Sequence, residues 1–199
     1  MNHAEDISPV EPTVMEYLKR KERHAGYWEG LSKPEKEWNV VKDLLLAIHH
    51  HEGRDWIKEL IPSPLTNVPP DVIGVTGEGI RVAFEVTELV DQSMIERRKR
   101  GQAVGKDWTC GEVISRLQSK IDDKGRRSFS KKDFASVVLV IHTAERELRP
   151  SVFGPDISAH RFIRKGQIDE AYLIFPPGPR QFLYRPEPTV CRYFRLSFQ

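Results

Sequence analysis

Two carboxylates on either side of a short turn are the residues of this chain best placed to do chemistry. Asp71 begins a β-rich segment that runs to Val75, and Glu85 lies within a second such segment, Ile80 to Val86. The glycine-containing stretch between the segments predicts a β-hairpin, so the two acids lie on neighbouring strands. A carboxylate inside an apolar strand is costly to desolvate, and a hard divalent cation held by oxygen ligands offsets that cost. The pattern is therefore typical of a Mg²⁺ site.

Each acid also has an ordinary structural interpretation. Asp71 caps a turn under one interpretation, and Glu85 is the solvent-side residue of an amphipathic strand under another. Side chains two apart on a strand share a face, so Glu85 and Thr87 are predicted to point the same way, opposite to Phe84. A third interpretation pairs Glu85 with Arg81 across that face, in a protein that binds neither metal nor nucleic acid.

The sequence Pro70-Asp71, followed by a hairpin that carries Glu85 and Thr87, resembles the motif of the PD-(D/E)XK, or restriction-endonuclease-like, nuclease superfamily. The resemblance covers roughly residues 35–142 and implies a core of a helix, three antiparallel strands, a second helix and a further strand. It implies that Asp71 and Glu85 bind Mg²⁺, with Mn²⁺ as an alternative ion, and that the protein hydrolyses phosphodiester bonds. The motif expects a lysine where this chain has Thr87, and a threonine hydroxyl cannot supply positive charge.

The segment from Cys110 to Lys124 contains two candidates for the missing lysine. Its apolar residues recur at helical spacing and include Leu117 and Ile121. Lys124 follows Leu117 by seven residues and lies about 20° from the inward stripe, whereas Lys120 lies about 60° away. The resemblance includes members that carry the lysine on this second helix, so we expect Lys124, or else Lys120, to complete the site. The alternative is a lysine that favours the helix dipole and extends along apolar surface.

A glutamate on the preceding helix is a third candidate metal ligand. Ser32, Lys33 and Pro34, followed by acidic residues, predict the start of a helix. Glu37 lies at the edge of the apolar stripe of that helix, where the resemblance implies a glutamate near the metal. Acidic residues near a helix start are also ordinary, because they interact well with the helix dipole.

Length and composition are those of one compact folded domain. The chain has 199 residues, of which 39% are hydrophobic and 30% charged, enough to bury a core without being disordered. We divide it into an N-terminal arm, residues 1–33, and a single nuclease-like α/β domain, residues 34–199. Its two cysteines are too few for a disulfide framework or a four-cysteine zinc site, and no apolar run approaches the roughly 20 residues that span a bilayer. We therefore expect a cytoplasmic protein with no membrane partner.

The elements after the second helix predict a mixed central β-sheet flanked by helices, with a strand-rich C-terminal extension. Ala135 to Ile141 is typical of a strand buried on both faces, and Ala171 to Phe175 of another. Further strands are predicted at 181–184 and 190–198. The prolines and glycine between residues 150 and 155 predict a loop, and Ile157 to Arg164 is a candidate short helix. His49, His50 and His51 are predicted to end the first helix in solvent rather than to bind a metal.

Local charge clusters bear on the partner more than the net charge of +2 does. Lysine and arginine groups that follow the two motif segments are predicted to contact phosphates of DNA, or with lower preference RNA; they are Arg97–Arg100 with Lys106, Arg126 with Arg127, and Lys131 with Lys132. The alternative is solvated loops. A homodimer is expected if both strands of a duplex are cut. A second interpretation, supported by Thr87, is an inactive nuclease-like domain that binds nucleic acid or protein.

Overall fold

A computed structural model describes residues 31–63, 69–91, 93, 96, 100, 106–129, 133–143, 145, 147–176 and 191–199. The predicted N-terminal arm lies almost wholly outside these residues, and so does the predicted strand at 181–184. Both therefore stay predictions.

The helices and strands alternate along the chain. In order they are α1 (Lys33–Glu52), β1 (Ile57–Pro62), β2 (Val72–Thr76), β3 (Arg81–Glu88), α2 (Cys110–Gly125), β4 (Ser136–His142), α3 (Pro150–Ala159), β5 (Arg161–Phe162), β6 (Glu170–Phe175), β7 (Arg192–Arg195) and β8 (Ser197–Phe198).

Six of the strands form one mixed sheet in the order β1-β2-β3-β4-β6-β7. Strands β1 and β3 are each antiparallel to β2, β3 and β6 both run parallel to β4, and β7 is antiparallel to β6. Parallel neighbours need a crossover connection, and α2 and α3 lie in the two that this sheet requires. Strands β5 and β8 form a separate parallel pair. The α/β class with a mixed central sheet and flanking helices is therefore confirmed.

The sheet is buried on both faces, so each of its central strands contributes to two cores. On β4, Val138 and Val140 pack with α1, whereas Leu139 and Ile141 pack with α2 and α3. This alternation follows from the two-residue period of a strand. On β3, Val82, Phe84 and Val86 belong to the α1 side. The opposite face of β3 therefore carries Glu85 towards α2.

Local sequence signals set the ends of the two helices that border the site. Ser32 N donates a hydrogen bond to Glu35 Oε2 at 2.9 Å, and α1 ends at Gly53, whose φ of 67° favours glycine. Thr109 N donates to Glu112 Oε2 at 3.0 Å at the start of α2. Both predicted helix starts are confirmed.

The C-terminal end of α2 contacts the loop before β6 backbone to backbone. A Cβ added at Gly166, whose φ is 59°, would lie 1.9 Å from the carbonyl oxygen of Gly125. A side chain is excluded there, so these two glycines allow the last turn of α2 to lie against that loop. The last turn of α2 also carries Lys124.

The loop predicted between residues 150 and 155 is wrong, because the segment forms helix α3. The candidate helix at Ile157 to Arg164 lies too far along the chain, since α3 ends at Ala159 and β5 follows. A proline suits the first turn of a helix, since its missing N–H has no partner there. Phe153 and Ile157 lie four residues apart and are both buried in the core. Gly154 allows the ring of Phe194 to pack on the helix, because a Cβ would lie 2.4 Å from the ring. Burial of this face offsets the hydrogen bond that the internal proline of α3 cannot donate.

Candidate active site

The hairpin of β2 and β3 places Asp71 and Glu85 side by side on neighbouring strands. Val72 is paired with Phe84, so the residue before Val72 lies opposite the residue after Phe84. Asp71 N donates to Phe84 O at 3.0 Å, and Asp71 Oδ2 accepts a hydrogen bond from Val86 N at 2.7 Å. The backbone of β3 therefore holds the Asp71 side chain in place. The side chain of Asp71 is 9% exposed and that of Glu85 is fully buried.

Lys124 joins the two acids. Its Nζ lies 2.8 Å from Glu85 Oε2 and 3.4 Å from Asp71 Oδ2, and its side chain is only 12% exposed. It extends from the last turn of α2, below the buried residues Leu117 and Ile121 of the same helix face. Because one nitrogen contacts both carboxylates, the two acids converge on a single point. The structure thus brings together three of the residues singled out from the sequence.

The interpretations that left Glu85 outside a site do not agree with this geometry. A solvent-side residue is excluded, because Glu85 has no exposed surface. Its ionic partners among the described residues are Lys124 and Arg127, while Arg81 lies over the ring of Phe134, 5.0 Å from its centroid. The predicted pairing of Glu85 with Arg81 is therefore not observed.

Arg127 is a site residue that the sequence did not single out from its basic cluster. Its Nη1 lies 2.9 Å from the same oxygen, Glu85 Oε2, that Lys124 contacts. It lies just beyond the end of α2, and 40% of its side chain is exposed. Helical spacing predicts the direction of a side chain only within the helix. The only sequence signal for Arg127 was therefore its place next to Arg126 in a basic cluster.

Burial is the main influence on Glu85. Desolvation raises the pKa of its carboxyl and the negative charge of Asp71 adds to this, while Lys124 and Arg127 oppose it. Both cations contact Oε2. Among the residues that the structure describes, none donates a hydrogen bond to the buried Oε1. An unsatisfied buried carboxylate oxygen is costly, and it requires an explanation.

Glu37 approaches the acid pair from helix α1. Its side chain is 13% exposed, and its nearest ionic partner is Lys33, at 3.6 Å. Burial raises the pKa of Glu37, and the negative charge of Asp71 raises it further. The carboxylate therefore lies close enough to Asp71 to interact with it through space.

Thr87 and Lys120 lie beside the acid pair rather than in contact with it. Thr87 follows Glu85 by two residues on β3, so it shares that face, and it is half-buried beside Ile141 of β4. Lys120 forms no ion pair with either Asp71 or Glu85, all three being described. It lies instead near His142, whose pKa is lowered to about 4 by burial and further lowered by Lys36 and Lys120.

The predicted phosphate-binding clusters fall into three groups. Arg97, Arg98, Lys99, Lys131 and Lys132 lie outside the described residues. Arg126 is exposed and pairs with Asp123 at 3.4 Å, whereas Arg127 points to Glu85. Lys106 binds Asp91 at 2.6 Å. Lys106 is therefore engaged in an internal ion pair.

A second buried carboxylate, Asp91, contacts Arg116 in the first half of α2. Its Oδ2 accepts from Lys106 at 2.6 Å and from Arg116 at 2.9 Å, and its Oδ1 accepts from the backbone and hydroxyl of Ser93. The Lys106 hydrogen bond is the main reason that the pKa of Asp91 lies far below its usual range. Both cations also lie over the ring of Trp108, at 4.3 and 5.2 Å. This cluster ties the start of α2 to the chain that follows β3.

Within the part of the chain that the structure describes, no three histidine, cysteine or acidic side chains are grouped so as to hold a metal ion. Among the described helices, none combines the length and apolar character that crossing a membrane requires. No protein-family model, curated protein or solved structure matches this chain.

Proposed function

We propose that the protein is a metal-dependent nuclease that hydrolyses phosphodiester bonds in DNA, with RNA as the less favoured substrate. The observation that carries this proposal is the contact of Lys124 with both Asp71 and Glu85. Two acids from a hairpin and one lysine meet at a single point. That is the arrangement which the resemblance implies once the motif lysine is moved from the position of Thr87 to the second helix.

The chain order of the elements supports a restriction-endonuclease-like core. Helix α1 is followed by the antiparallel strands β1, β2 and β3, then by α2, and then by β4 parallel to β3. The resemblance implies this same succession. The remaining strands, β5 to β8, correspond to the C-terminal extension predicted from the sequence.

The acid pair suits a divalent cation, although no third acidic ligand is grouped with it. Mg²⁺ is usually held by one or two carboxylates together with water and substrate phosphate. Asp71 and Glu85 would supply the carboxylates, and the buried Glu85 Oε1 has no described donor that competes for it. Glu37, whose charge interacts with that of Asp71, would contact a second ion or the water shell of the first. When bound, such an ion supplies Lewis-acid stabilisation of the phosphate and promotes the ionisation of water.

The protein's own groups position the remaining chemistry. In hydrolysis the water oxygen forms a bond to phosphorus, the bond from phosphorus to the leaving sugar oxygen breaks, and that oxygen takes up a proton. Lys124 Nζ is fixed beside the acids with its side chain largely buried, so its positive charge counts for more than it would in water. It would orient the attacking water and stabilise the charge that develops on the phosphate. Thr87 would contribute no charge.

The test is cleavage of plasmid DNA, single-stranded DNA and RNA by the purified protein with Mg²⁺ or Mn²⁺. We expect cleavage that requires the metal and is lost in Asp71→Asn and in Glu85→Gln. Asp123→Asn is the matched control, because Asp123 is an exposed acid on α2 that pairs only with Arg126 among the described residues. Variants at Asp71 and Glu85 that cleave as well as the wild type would overturn the proposal.

A second candidate function is an inactive nuclease-like domain that binds nucleic acid or a protein partner. One observation favours it: Lys124 and Arg127 already neutralise Glu85, so the acids are compensated without a metal. Metal binding separates the two functions. An active site binds Mn²⁺ in calorimetry and loses this binding in Asp71→Asn, whereas an inactive domain shows no binding that depends on Asp71.

A further inference from the structure

Glu85 Oε2 contacts two cationic side chains, Lys124 and Arg127, although one positive charge would balance the carboxylate. We propose that Arg127 is an exchangeable partner, which holds Glu85 in the metal-free protein and transfers to a substrate phosphate once the acid pair binds a divalent cation. This inference rests on the proposed nuclease function and deepens it. It assigns a substrate-positioning role to a residue of this chain.

The two cations differ in how firmly they are held. Lys124 extends from within α2, contacts both acids and is 12% exposed. Arg127 lies beyond the helix, contacts one acid, and has 40% of its side chain in solvent. Moving Arg127 outwards breaks a single contact at 2.9 Å, whereas moving Lys124 breaks two. Arg127 is therefore the partner that can leave.

Charge gives the reason for the exchange. Asp71 and Glu85 bring two negative charges to one point, and Lys124 and Arg127 balance them in the described structure. A divalent cation would add two positive charges at the same place and so repel the guanidinium at short range. The departing guanidinium has five donors in a planar fork, which matches the oxygens of a phosphate.

The position of Arg127 also suits a phosphate that approaches the acids from solvent. Arg127 follows Lys124 by three residues, just beyond the end of α2, and its side chain is 40% exposed where that of Lys124 is 12% exposed. A phosphate can therefore reach the guanidinium from solvent without displacing Lys124. A nucleic-acid strand carries phosphates along its length, so a phosphate next to the one at the acids can contact Arg127.

The first experiment measures Mn²⁺ binding by calorimetry without nucleic acid, so it does not depend on activity. Arg127→Gln removes the competing cation, and we expect the Mn²⁺ affinity to rise by about fivefold or more. Arg126→Gln is the control, because it makes the same charge change at a neighbouring residue whose partner is Asp123. We expect it to match the wild type. Arg127→Lys keeps the charge, and its Mn²⁺ affinity should stay near that of the wild type.

The second experiment measures binding of a fluorescent oligonucleotide with and without Ca²⁺. In the metal-free protein Arg127 is occupied by Glu85, so Arg127→Gln should bind the oligonucleotide as the wild type does. With Ca²⁺ bound, we expect Arg127→Gln to bind about fivefold more weakly. For a duplex, a plot of the logarithm of affinity against the logarithm of salt concentration should also be less steep by about 0.9, which corresponds to the loss of one phosphate contact.

The outcomes separate this inference from the proposed function. If Asp71→Asn abolishes Mn²⁺ binding but Arg127→Gln leaves it unchanged or weakens it, the exchange is wrong and the metal site stands. If Arg127→Gln weakens oligonucleotide binding equally with and without Ca²⁺, the exchange is also wrong. If the wild type and Asp71→Asn bind Mn²⁺ equally, both proposals fail. Thermal unfolding of each variant shows that the protein compared is folded.

Discussion

Glu85 and Asp91 are both buried carboxylates that contact two cationic side chains, yet their pKa values move in opposite directions. Asp91 uses both of its oxygens: Lys106 and Arg116 bind one, and Ser93 donates twice to the other. Hydrogen bonds and charges therefore lower its pKa. Both cations of Glu85 bind a single oxygen, and burial raises its pKa despite them.

The difference lies in what each carboxylate still lacks. Asp91 has a complete set of donors, and such a group contributes to stability because its ionised form is better satisfied in the folded protein than in water. Glu85 Oε1 has no donor among the described residues. A buried charge with unused capacity is typical of a site that binds a ligand. From this comparison we infer that Asp91 stabilises the fold, whereas Glu85 keeps the free capacity that the proposed reaction requires.

The largest expected effect is on cleavage. Asp71→Asn and Glu85→Gln should each reduce metal-dependent cleavage by about a thousandfold or more, because they remove ligands and transition-state charge stabilisation. Asp91→Asn should keep cleavage at a temperature where it is folded. Initial rates on plasmid DNA check this. Loss of cleavage in a folded Asp91→Asn variant would contradict the structural role assigned to Asp91.

Lys124→Gln should reduce cleavage by about a hundredfold, the usual effect of removing one group that stabilises transition-state charge. The loss should exceed that of Lys120→Gln, since Lys120 does not contact the acids. Adding Thr87→Lys to Lys124→Gln returns a lysine to the motif position on the Glu85 face, and we expect partial recovery. Lys42→Gln is the control, because Lys42 is exposed and lies over Trp38 on α1. Equal rates for the Lys124 and Lys120 variants would show that the lysine was wrongly chosen.

The free energy of unfolding should respond in the opposite order, so that Asp91→Asn lowers it more than Glu85→Gln does. Asp91→Asn should lower the free energy of unfolding by about 2 kcal/mol, because hydrogen bonds to charged partners contribute about 1.5–3 kcal/mol. Glu85→Gln should lower it by less, since it relieves the desolvation of a buried charge while leaving Lys124 paired with Asp71. Urea denaturation with EDTA present measures both. A larger loss for Glu85→Gln would reverse the assigned roles.

The smallest effect is a pH dependence. The pKa of Asp91 is lower in the folded protein than the value of about 3.9 in the unfolded chain, so its ionised form stabilises the protein above pH 3.9. That contribution is lost as pH falls below this value. The difference in unfolding free energy between the wild type and Asp91→Asn should therefore be full at pH 6 and smaller at pH 3. A difference that is equal at both pH values would contradict the cause assigned here.

Short-range patterns predicted the acid pair and its lysine. The turn between two β-rich segments predicts a hairpin that puts Asp71 and Glu85 on neighbouring strands, and the two-residue period of a strand puts Glu85 opposite to Phe84. Counting residues along a helix then favoured Lys124 over Lys120 as the inward lysine. These predictions needed only the geometry of single elements. The catalytic and metal-binding roles of these residues stay predictions.

The residues that the sequence did not reveal depend on contacts between elements. Arg127 follows the end of α2, where no period fixes the direction of a side chain. No short-range pattern marks Asp91, because its partners Lys106 and Arg116 are 15 and 25 residues away. The start of helix α3 is not predicted because its prolines and glycine are typical of loops, and the packing of Phe194 explains that glycine.

A crystal of the full chain soaked with Mn²⁺ and measured at the manganese absorption edge tests the central claim most directly. We expect an anomalous peak bound by the carboxylates of Asp71 and Glu85, with Lys124 beside it. A fully occupied peak elsewhere, or no peak at these carboxylates at saturating Mn²⁺, would contradict the account.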